Sequence, residues 1–273
     1  MTEAQSVLVA TDLGARGDRA VDRAILLARE WGVRADVMHV LHPAHLRSDR
    51  EGAIAATRAV LPDWGADAEI VLRWGPVPQT IISGARECGA RLIVVAPARF
   101  NQVRDYFLGT AVDSIVRLAD RPVLVVKQRP HGPYARLMIA SDLSVHARDV
   151  LLEAARLFPD AELNLVHAYH VPYGSWIDSE KVREDLEAEA RADLDAFIAD
   201  PAIPDAVRGQ VRTHLDCGDV DTVMDRALRT LRPDLLVLGT HGVSGFVQAA
   251  MGSTAAALLN WTPVDTLMIR RQG

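Results

Sequence analysis

The chain is a tandem repeat, and this repeat limits the folds that it can adopt. Val7–Leu13 is an apolar run that ends in Ala, a hydroxyl residue, Asp and Leu, and Leu137–Leu143 repeats the pattern. After both segments, apolar runs alternate with amphipathic stretches in the same order, which gives five strands and four helices twice over. Because solenoid repeats have periods of only about 20–50 residues, the sequence predicts a duplicated domain.

Short apolar strands that alternate with helices are typical of parallel sheets covered on both faces. The sequence therefore predicts an α/β chain of two similar doubly wound domains, each a five-stranded, mostly parallel sheet with helices on both faces. The joint lies in the Pro- and Gly-rich stretch 128–133, which predicts domains over residues 1–129 and 134–273. A helix dense in charged residues over 178–200 is interpreted as solvated rather than partner-binding.

Composition argues against several classes of partner. The 36 acidic residues outnumber the 30 Lys and Arg residues, and no long basic block occurs, which argues against nucleic acid and anionic membranes. Cys88 and Cys217 lie in different halves of the chain and indicate free thiols in a reducing compartment. No apolar run approaches the roughly 20 residues of a membrane helix, and Met1–Ser6 does not resemble a signal peptide. We expect a cytoplasmic protein.

The most specific motif lies in the second copy, directly after a predicted buried strand. Gly239 and Gly242 are followed, after nine residues, by Gly252 and Ser253, where an alanine-rich helix begins. Glycine lets backbone N–H groups approach a ligand closely, and a hydroxyl at a helix start adds a donor beside the positive end of the helix dipole. The spacing therefore predicts a phosphate-binding cradle.

The first copy carries a degenerate version of this motif. It keeps Gly109 and Thr110, but Ala96–Arg99 stands where the second copy has Gly239–Gly242. The added Cβ atoms occupy space that a phosphate needs, and Arg at a glycine position with positive φ is strained. We expect a nucleotide-free pseudo-site in the first copy, with Arg99 either filling the site or binding a phosphate itself.

Histidines at a spacing of three suggest metal ligands at first sight. They are His39 with His42 and His167 with His170. Residues i and i+3 of a strand point to opposite faces, and no cysteine or carboxylate cluster completes a zinc site. We therefore interpret them as structural histidines and predict no metal site in the protein. Two roles remain for His241: its side chain either contacts a phosphate or faces solvent.

Several enzyme signatures are absent from the sequence. Neither first strand is followed by the Gly-x-Gly-x-x-Gly of dinucleotide-binding dehydrogenases, and no Walker loop occurs. The Gly-x-Ser-x-Gly of serine hydrolases is also missing. No catalytic residue is predicted.

With these residues the chain resembles the universal stress protein family in its tandem form. The similarity lies in the strand and helix order, the Asp at the end of the first strand, a terminal Pro-Val strand and the glycine spacing of the ATP-binding members. It covers nearly the whole chain. The resemblance implies ATP with Mg²⁺ as the ligand of the second copy.

The resemblance also implies a role for each site residue. Asp142 corresponds to the residue near adenine and ribose, and Ala140 and Ser141 line the same wall. Ala168 corresponds to the position whose backbone reads the adenine edge. Taken alone, Asp142 could bind magnesium, act as a base or cap the turn that follows its strand. The phosphates would be held by Gly239, Gly242, Gly252, Ser253 and Thr254.

The sequence thus predicts an ATP-binding regulatory stress protein whose nucleotide changes a surface read by an unidentified protein partner. ATP hydrolysis would be slow at most. One alternative is a nucleotide-free stress scaffold or a carrier of an apolar ligand in the sheet clefts. An ATP-cleaving enzyme is least favoured, because neither 11–14 nor 141–144 supplies a pyrophosphate loop.

The family resemblance also predicts how the two copies associate. In that family the last strands of two domains pair across a two-fold axis. Here these strands are Val123–Lys127 and Thr266–Arg270. Their pairing would make an internal pseudo-dimer and protect both sheet edges. A further homodimer stays open.

Overall fold

A computed structural model describes residues 6–41, 50–97, 109–171, 180–240 and 251–270. Its contacts divide the chain into two compact units, one formed by residues 1–133 with 259–272 and the other by residues 134–258. The predicted domain limits, 1–129 and 134–273, differ from these units mainly in the placement of the last strand.

The first unit alternates strands and helices in the predicted order. Its strands lie in the order β3-β2-β1-β4-β5, and all the neighbouring pairs among them are parallel. A single 3₁₀ turn at 63–65 precedes β3. The elements are β1 (Ser6–Thr11), α1 (Ala15–Glu30), β2 (Arg34–Leu41), α2 (Arg50–Ala59), β3 (Glu69–Trp74), α3 (Val77–Glu87), β4 (Ala90–Val95), α4 (Gly109–Leu118) and β5 (Val123–Val125).

The second unit repeats this plan with the strand order β9-β6-β7-β8, again with parallel pairs. The residues of α9 beyond Leu258 belong to the first unit. The elements are β6 (Arg136–Ala140), α5 (Val145–Leu157), β7 (Glu162–Tyr169), α6 (Glu180–Ile198), α7 (Asp205–Arg208), β8 (Val211–Cys217), α8 (Val220–Leu231), β9 (Leu235–Gly239) and α9 (Ser253–Trp261).

The last strand, β10 (Asp265–Ile269), joins the first unit. It runs antiparallel to β5, with Leu267 opposite Leu124. All its residues are buried. The predicted fold class, α/β and mostly parallel, is confirmed, and so is the pairing of the last strands. Each copy contributes five strands, as predicted. The fifth strand of the second copy, β10, lies in the first unit, where it covers a β5 edge that would otherwise expose unpaired backbone groups.

Lys127, a partly buried lysine, follows β5 and binds the chain segment that leads into β10. The Nζ of Lys127 donates to the carbonyl oxygens of Leu259 and Thr262 at 2.7 and 2.8 Å. It also donates to the hydroxyls of Thr262 and Thr266 at 3.0 and 3.2 Å. Burial lowers the pKa of Lys127 to about 7, and the charge of Asp265 opposes that shift.

Asp265 completes this junction from the first residue of β10. Its Oδ1 accepts from the backbone N–H groups of Lys127 and Gln128 at 2.7 and 2.9 Å. Its Oδ2 lies 3.8 Å from the Nε of Arg23, and both side chains are nearly fully buried. A buried carboxylate that satisfies two backbone donors is costly to remove, so this side chain fixes how β10 begins.

The strand order places a crevice in each unit. The chain runs outward from β1 to β2 and β3 and then returns to the other side of β1 with β4. The same reversal occurs between β6 and β9. In open α/β sheets, ligands bind outside the carboxyl ends of the strands at this switch point.

The charged helix α6 lies mostly in solvent, in agreement with its sequence. The residues at Ala190, Leu194 and Phe197 are buried, and this spacing forms one narrow apolar stripe along the helix. Among the described residues, no helix is both long and apolar enough to cross a membrane. Cys88 and Cys217 are free thiols.

The junction at Asp265 yields a stability prediction. We expect Asp265→Ala to lower the free energy of unfolding by about 3 kcal/mol, because two part-buried backbone hydrogen bonds lose their acceptor and the buried guanidinium of Arg23 loses its carboxylate partner. Urea denaturation followed by circular dichroism measures the change.

The second unit offers a matched control. The Oδ2 of Asp234 accepts from the backbone N–H groups of Ala135 and Arg136 at 3.1 and 2.9 Å, but these bonds are exposed. Asp234→Ala should lower the free energy of unfolding by much less than half of that amount, since water replaces the lost acceptor. Equal losses for the two variants would contradict the role assigned to burial.

Candidate functional site

A cavity of about 310 Å³ opens at the switch point of the second unit. It lies at the carboxyl ends of β6, β7 and β9 and at the start of α9. All the predicted site residues within the described ranges line it, whereas Gly242 lies outside those ranges. The lining residues are Ala140, Ser141, Asp142, His146, Ala147, His167, Ala168, Val220, Met224, Leu238, Gly239, Thr240, Gly252, Ser253, Thr254, Ala255 and Leu258.

A side-chain-bonded turn fixes Asp142 at the mouth of this cavity. The Oδ1 of Asp142 accepts from the N–H of Ser144 at 3.1 Å, and the hydroxyl of Ser141 accepts from the N–H of Leu143 at 3.1 Å. Leu143 sits in the left-handed region, with φ 58°, which costs a bulky residue about 1–3 kcal/mol. The hydroxyl of Ser144 then caps α5 by accepting from Ala147 N at 3.1 Å. Asp142 therefore does cap its turn, while its side chain lines the cavity.

His167 contributes an oriented ring to the cavity wall. Its Nδ1 lies 2.9 Å from the carbonyl oxygen of Ser141. Because a carbonyl oxygen only accepts, this geometry assigns the proton to Nδ1 and leaves Nε2 of the neutral ring as an acceptor. His39 makes the equivalent bond to the carbonyl of Thr11, also at 2.9 Å. The structural role predicted for both histidines thus has a named partner in each copy.

Gly239 packs so closely against the protein that a side chain at this position would be crowded. A Cβ added at Gly239 would lie 3.0 Å from the Nε2 of His146 and 3.2 Å from the Cγ2 of Val150. These distances are shorter than ordinary van der Waals contact. The buried ring of His146 therefore occupies the space that a side chain at this position would need.

The start of α9 supplies the polar donors of the cavity. Ser253 and Thr254 are exposed and line it, and the first amides of a helix have no acceptor within the helix. The first turn of α9 carries no acidic residue, so its dipole is free to favour an anion. Gly252 donates its N–H to the carbonyl of Thr240 at 2.9 Å, which ties the helix start to the end of β9.

Among the described lining residues, Asp142 carries the only carboxylate and no Lys or Arg is present. A polyanion bound here would meet backbone amides and hydroxyls on this part of the wall. Within the described ranges, no group of three or more His, Cys, Asp or Glu residues is placed to hold a metal ion.

Several lining residues were not predicted. Met224 on α8 and Leu258 on α9 are buried, whereas Val220, the first residue of α8, is exposed. Apolar periodicity identifies residues such as Met224 and Leu258 as core but does not show which of them line a cavity. Thr240 lies within the glycine motif, so its place in the sequence could have identified it as a lining residue.

The first unit has a corresponding cavity of about 230 Å³ at the end of β1. Its turn repeats the second one: Gly14 N donates to Asp12 Oδ1 at 2.9 Å, and Leu13 N donates to Thr11 Oγ1 at 3.0 Å. Leu13 is left-handed, with φ 61°. The frame that holds Asp142 is therefore present twice.

The cradle residues of the two cavities differ. Ala96 and Pro97 line the first cavity at the positions of Gly239 and Thr240, and Pro has no N–H to donate. Arg99 lies outside the described residues, so its two predicted roles stay open. The exposed Arg16 lines this cavity at the position of the buried His146.

The comparisons with known proteins agree with the duplicated fold. Models of the universal stress protein family match residues 3–127 and 133–270. Universal stress protein A homolog 1 of Coxiella burnetii (strain RSA 493 / Nine Mile phase I) is 28% identical over 144 residues, covering 50% of this chain and 96% of the relative.

Two solved structures match along nearly the full chain. A candidate universal stress protein from Pseudomonas aeruginosa UCBPP-PA14 has a TM-score of 0.72 at 23% identity and covers 98% of this chain and 93% of its own. A universal stress protein from Archaeoglobus fulgidus DSM 4304 has a TM-score of 0.68 at 18% identity, with coverage of 99% and 100%. At these identities the likeness shows the fold.

The packing of Gly239 yields a stability prediction. We expect Gly239→Ala to lower the free energy of unfolding by about 1–3 kcal/mol, because the new methyl overpacks against His146 and Val150. Chemical denaturation measures the change. Gly252→Ala is the matched control, since the nearest described atom to its Cβ would be Thr240 O at 3.8 Å.

The first copy suggests a compensating pair of substitutions, because it has Ala96 at the position of Gly239 and Arg16 at the position of His146. His146→Arg removes the ring, so we expect Gly239→Ala to cost less in its presence. Strict additivity of the two substitutions would contradict the proposed packing conflict.

Proposed function

The chain belongs to the universal stress protein family, and we propose that it is a regulatory stress protein that binds ATP in the cavity of its second copy. The observation that carries this proposal is the convergence of four separate segments. One cavity is lined by the residues that the sequence predicts at the ends of β6, β7 and β9 and at the start of α9. Its volume, about 310 Å³, falls at the lower end of the range of ligand pockets.

We assign the adenine and ribose to the side formed by β6 and β7. The backbone of Ala168 would read the base edge, and Ala140 and Ser141 would form the adjoining wall. Asp142, held by Ser144 N at 3.1 Å, has the acceptor chemistry that ribose hydroxyls require. His167 lines the same cavity, and its acceptor Nε2 suits a donor such as an exocyclic amino group.

We assign the phosphates to the start of α9 and the end of β9. Ser253 and Thr254 offer hydroxyl donors beside the unpaired amides of the first helical turn. Gly239 and Gly252 leave room for an oxyanion to approach the backbone, and Gly242 completes the motif from outside the described residues. Mg²⁺ bound with the nucleotide would balance phosphate charge, since the described lining residues include no Lys or Arg.

We propose that ATP acts as a signal rather than as a substrate for rapid turnover. The described groups on the phosphate side are hydroxyls and backbone amides, which bind negative charge but do not accept a proton from water at neutral pH. Any hydrolysis would therefore be slow. An unidentified protein partner would read the occupied state. The first copy, with Ala96 and Pro97 at its cradle, would hold no nucleotide.

This proposal is tested most cleanly by a pair of equivalent aspartates. We expect Asp142→Asn to weaken ATP binding about tenfold or more, because a charge-assisted hydrogen bond contributes about 1.5–3 kcal/mol. Asn keeps the oxygen that accepts from Ser144 N, so the turn persists. Isothermal titration calorimetry with ATP and Mg²⁺ measures the affinity.

Asp12→Asn is the matched control, because Asp12 occupies the same turn in the first copy and should leave the ATP affinity unchanged. Gly242→Arg, which copies Arg99 into the second motif, should abolish binding. The proposal fails if ATP does not bind to the wild-type protein. It also fails if Asp12→Asn has the larger effect.

A further inference from the structure

Two adjoining cavities in the first unit differ sharply in chemistry. The cavity of about 230 Å³ at the end of β1 lies next to a smaller one of about 140 Å³ that is lined by Arg16, Arg19, Pro97, Val126 and Lys127. The two share Arg16 and Pro97. An apolar space therefore continues into a space with a cationic lining.

The larger cavity differs from its counterpart in the second copy in hydrogen-bonding groups. Pro97 stands where Thr240 has a backbone N–H, and Ala111 stands where Thr254 has a hydroxyl. Both changes replace a hydrogen-bond donor by a purely apolar group. The cavity therefore offers less to a polyphosphate than its counterpart does.

Its walls have also become bulkier and more apolar. Val40 occupies the position of Ala168, and Val112 occupies the position of Ala255. Met38, Ile81 and Ile115 add further aliphatic surface. The space remains larger than the cavity of roughly 150 Å³ that holds benzene in a well-studied engineered protein, so an aliphatic chain can enter it.

The cationic end is built from two arginines on α1. The Nη1 of Arg19 donates to the carbonyl of Lys127 at 3.0 Å, which holds this guanidinium at the small cavity. Arg16 is exposed and reaches both cavities. The Nζ of Lys127 bonds to the segment before β10, so the arginines supply the charge. Asp12 is the carboxylate on the larger cavity, and its Oδ1 accepts from Gly14 N.

We propose that the first copy binds a medium-chain aliphatic carboxylate. The hydrocarbon chain lies in the 230 Å³ cavity, and the carboxylate pairs with Arg16 and Arg19. A planar guanidinium matches a carboxylate in a bidentate geometry. Burial of the ligand's hydrocarbon chain against the apolar walls is favourable through the hydrophobic effect. The charge complementarity between the two cavities and the two ends of such a molecule selects this class of ligand.

The probes are hexanoate, octanoate, 1-octanol and octyl phosphate, titrated into the full chain by calorimetry. We expect octanoate to bind about fifteenfold more tightly than hexanoate, because each buried methylene contributes about fourfold. Octanol, which lacks the charge, should bind at least tenfold more weakly than octanoate. Equal binding of octanol, tighter binding of octyl phosphate or no binding of octanoate overturns the proposal.

Two exposed arginines give a matched pair of variants. Arg16→Gln should weaken octanoate about tenfold, whereas Arg86→Gln, which alters a surface ion pair with Asp120 away from the cavities, should not. Both side chains are exposed, so neither substitution disturbs the core. An unchanged affinity in Arg16→Gln overturns the proposal.

The location is checked by methyl NMR. Octanoate should shift the signals of Ile81 and Ile115 and leave those of Met224 and Leu258 in place. Saturation with ATP and Mg²⁺ should leave the octanoate affinity unchanged, since the two cavities belong to different units. Shifts confined to Met224 and Leu258, or displacement of octanoate by ATP, contradict the assignment. A failure of ATP binding leaves the octanoate result standing, so the two proposals fail independently.

Discussion

The left-handed turn after the first strand of each copy positions the carboxylate and the helix start that line each cavity. Leu13 and Leu143 take positive φ values that a leucine alone would avoid. They are held there because the preceding hydroxyl and carboxylate side chains accept from the backbone of the turn. The strain is thus offset locally. Its consequence is that a carboxylate, the start of a helix and the end of a buried strand meet at the switch point of the sheet.

Both copies share this turn, but a few side chains give their two cavities different linings. In the second copy, Gly239 leaves its space to the buried ring of His146, and Ser253 and Thr254 present donors at the start of α9. In the first copy, Ala96, Pro97 and the charged Arg16 line the cavity instead. The frame is retained because the turn is bonded within itself. The lining is free to diverge because few of its side chains contribute to the turn.

The fold was predictable because its signals are local. Strand and helix order, the duplication and the pairing of the last strands follow from apolar periodicity and family resemblance, and the structure confirms them. The site positions followed from the glycine spacing and from Asp142. The contact between His146 and Gly239 was not predictable, because it joins the start of α5 to the end of β9. The small cavity beside Arg16 was missed for the same reason, since α1 and the residues after β4 and β5 line it together.

On the proposed function, each chain binds one nucleotide, and it binds it in the second copy. A crystal structure of the protein grown with ATP and Mg²⁺ tests it directly. We expect nucleotide density that runs from Ala168 past Asp142 to Ser253, with no nucleotide beside Asp12 and Arg16. Nucleotide density in the first cavity, or its absence from the second at saturating ATP, would contradict the account.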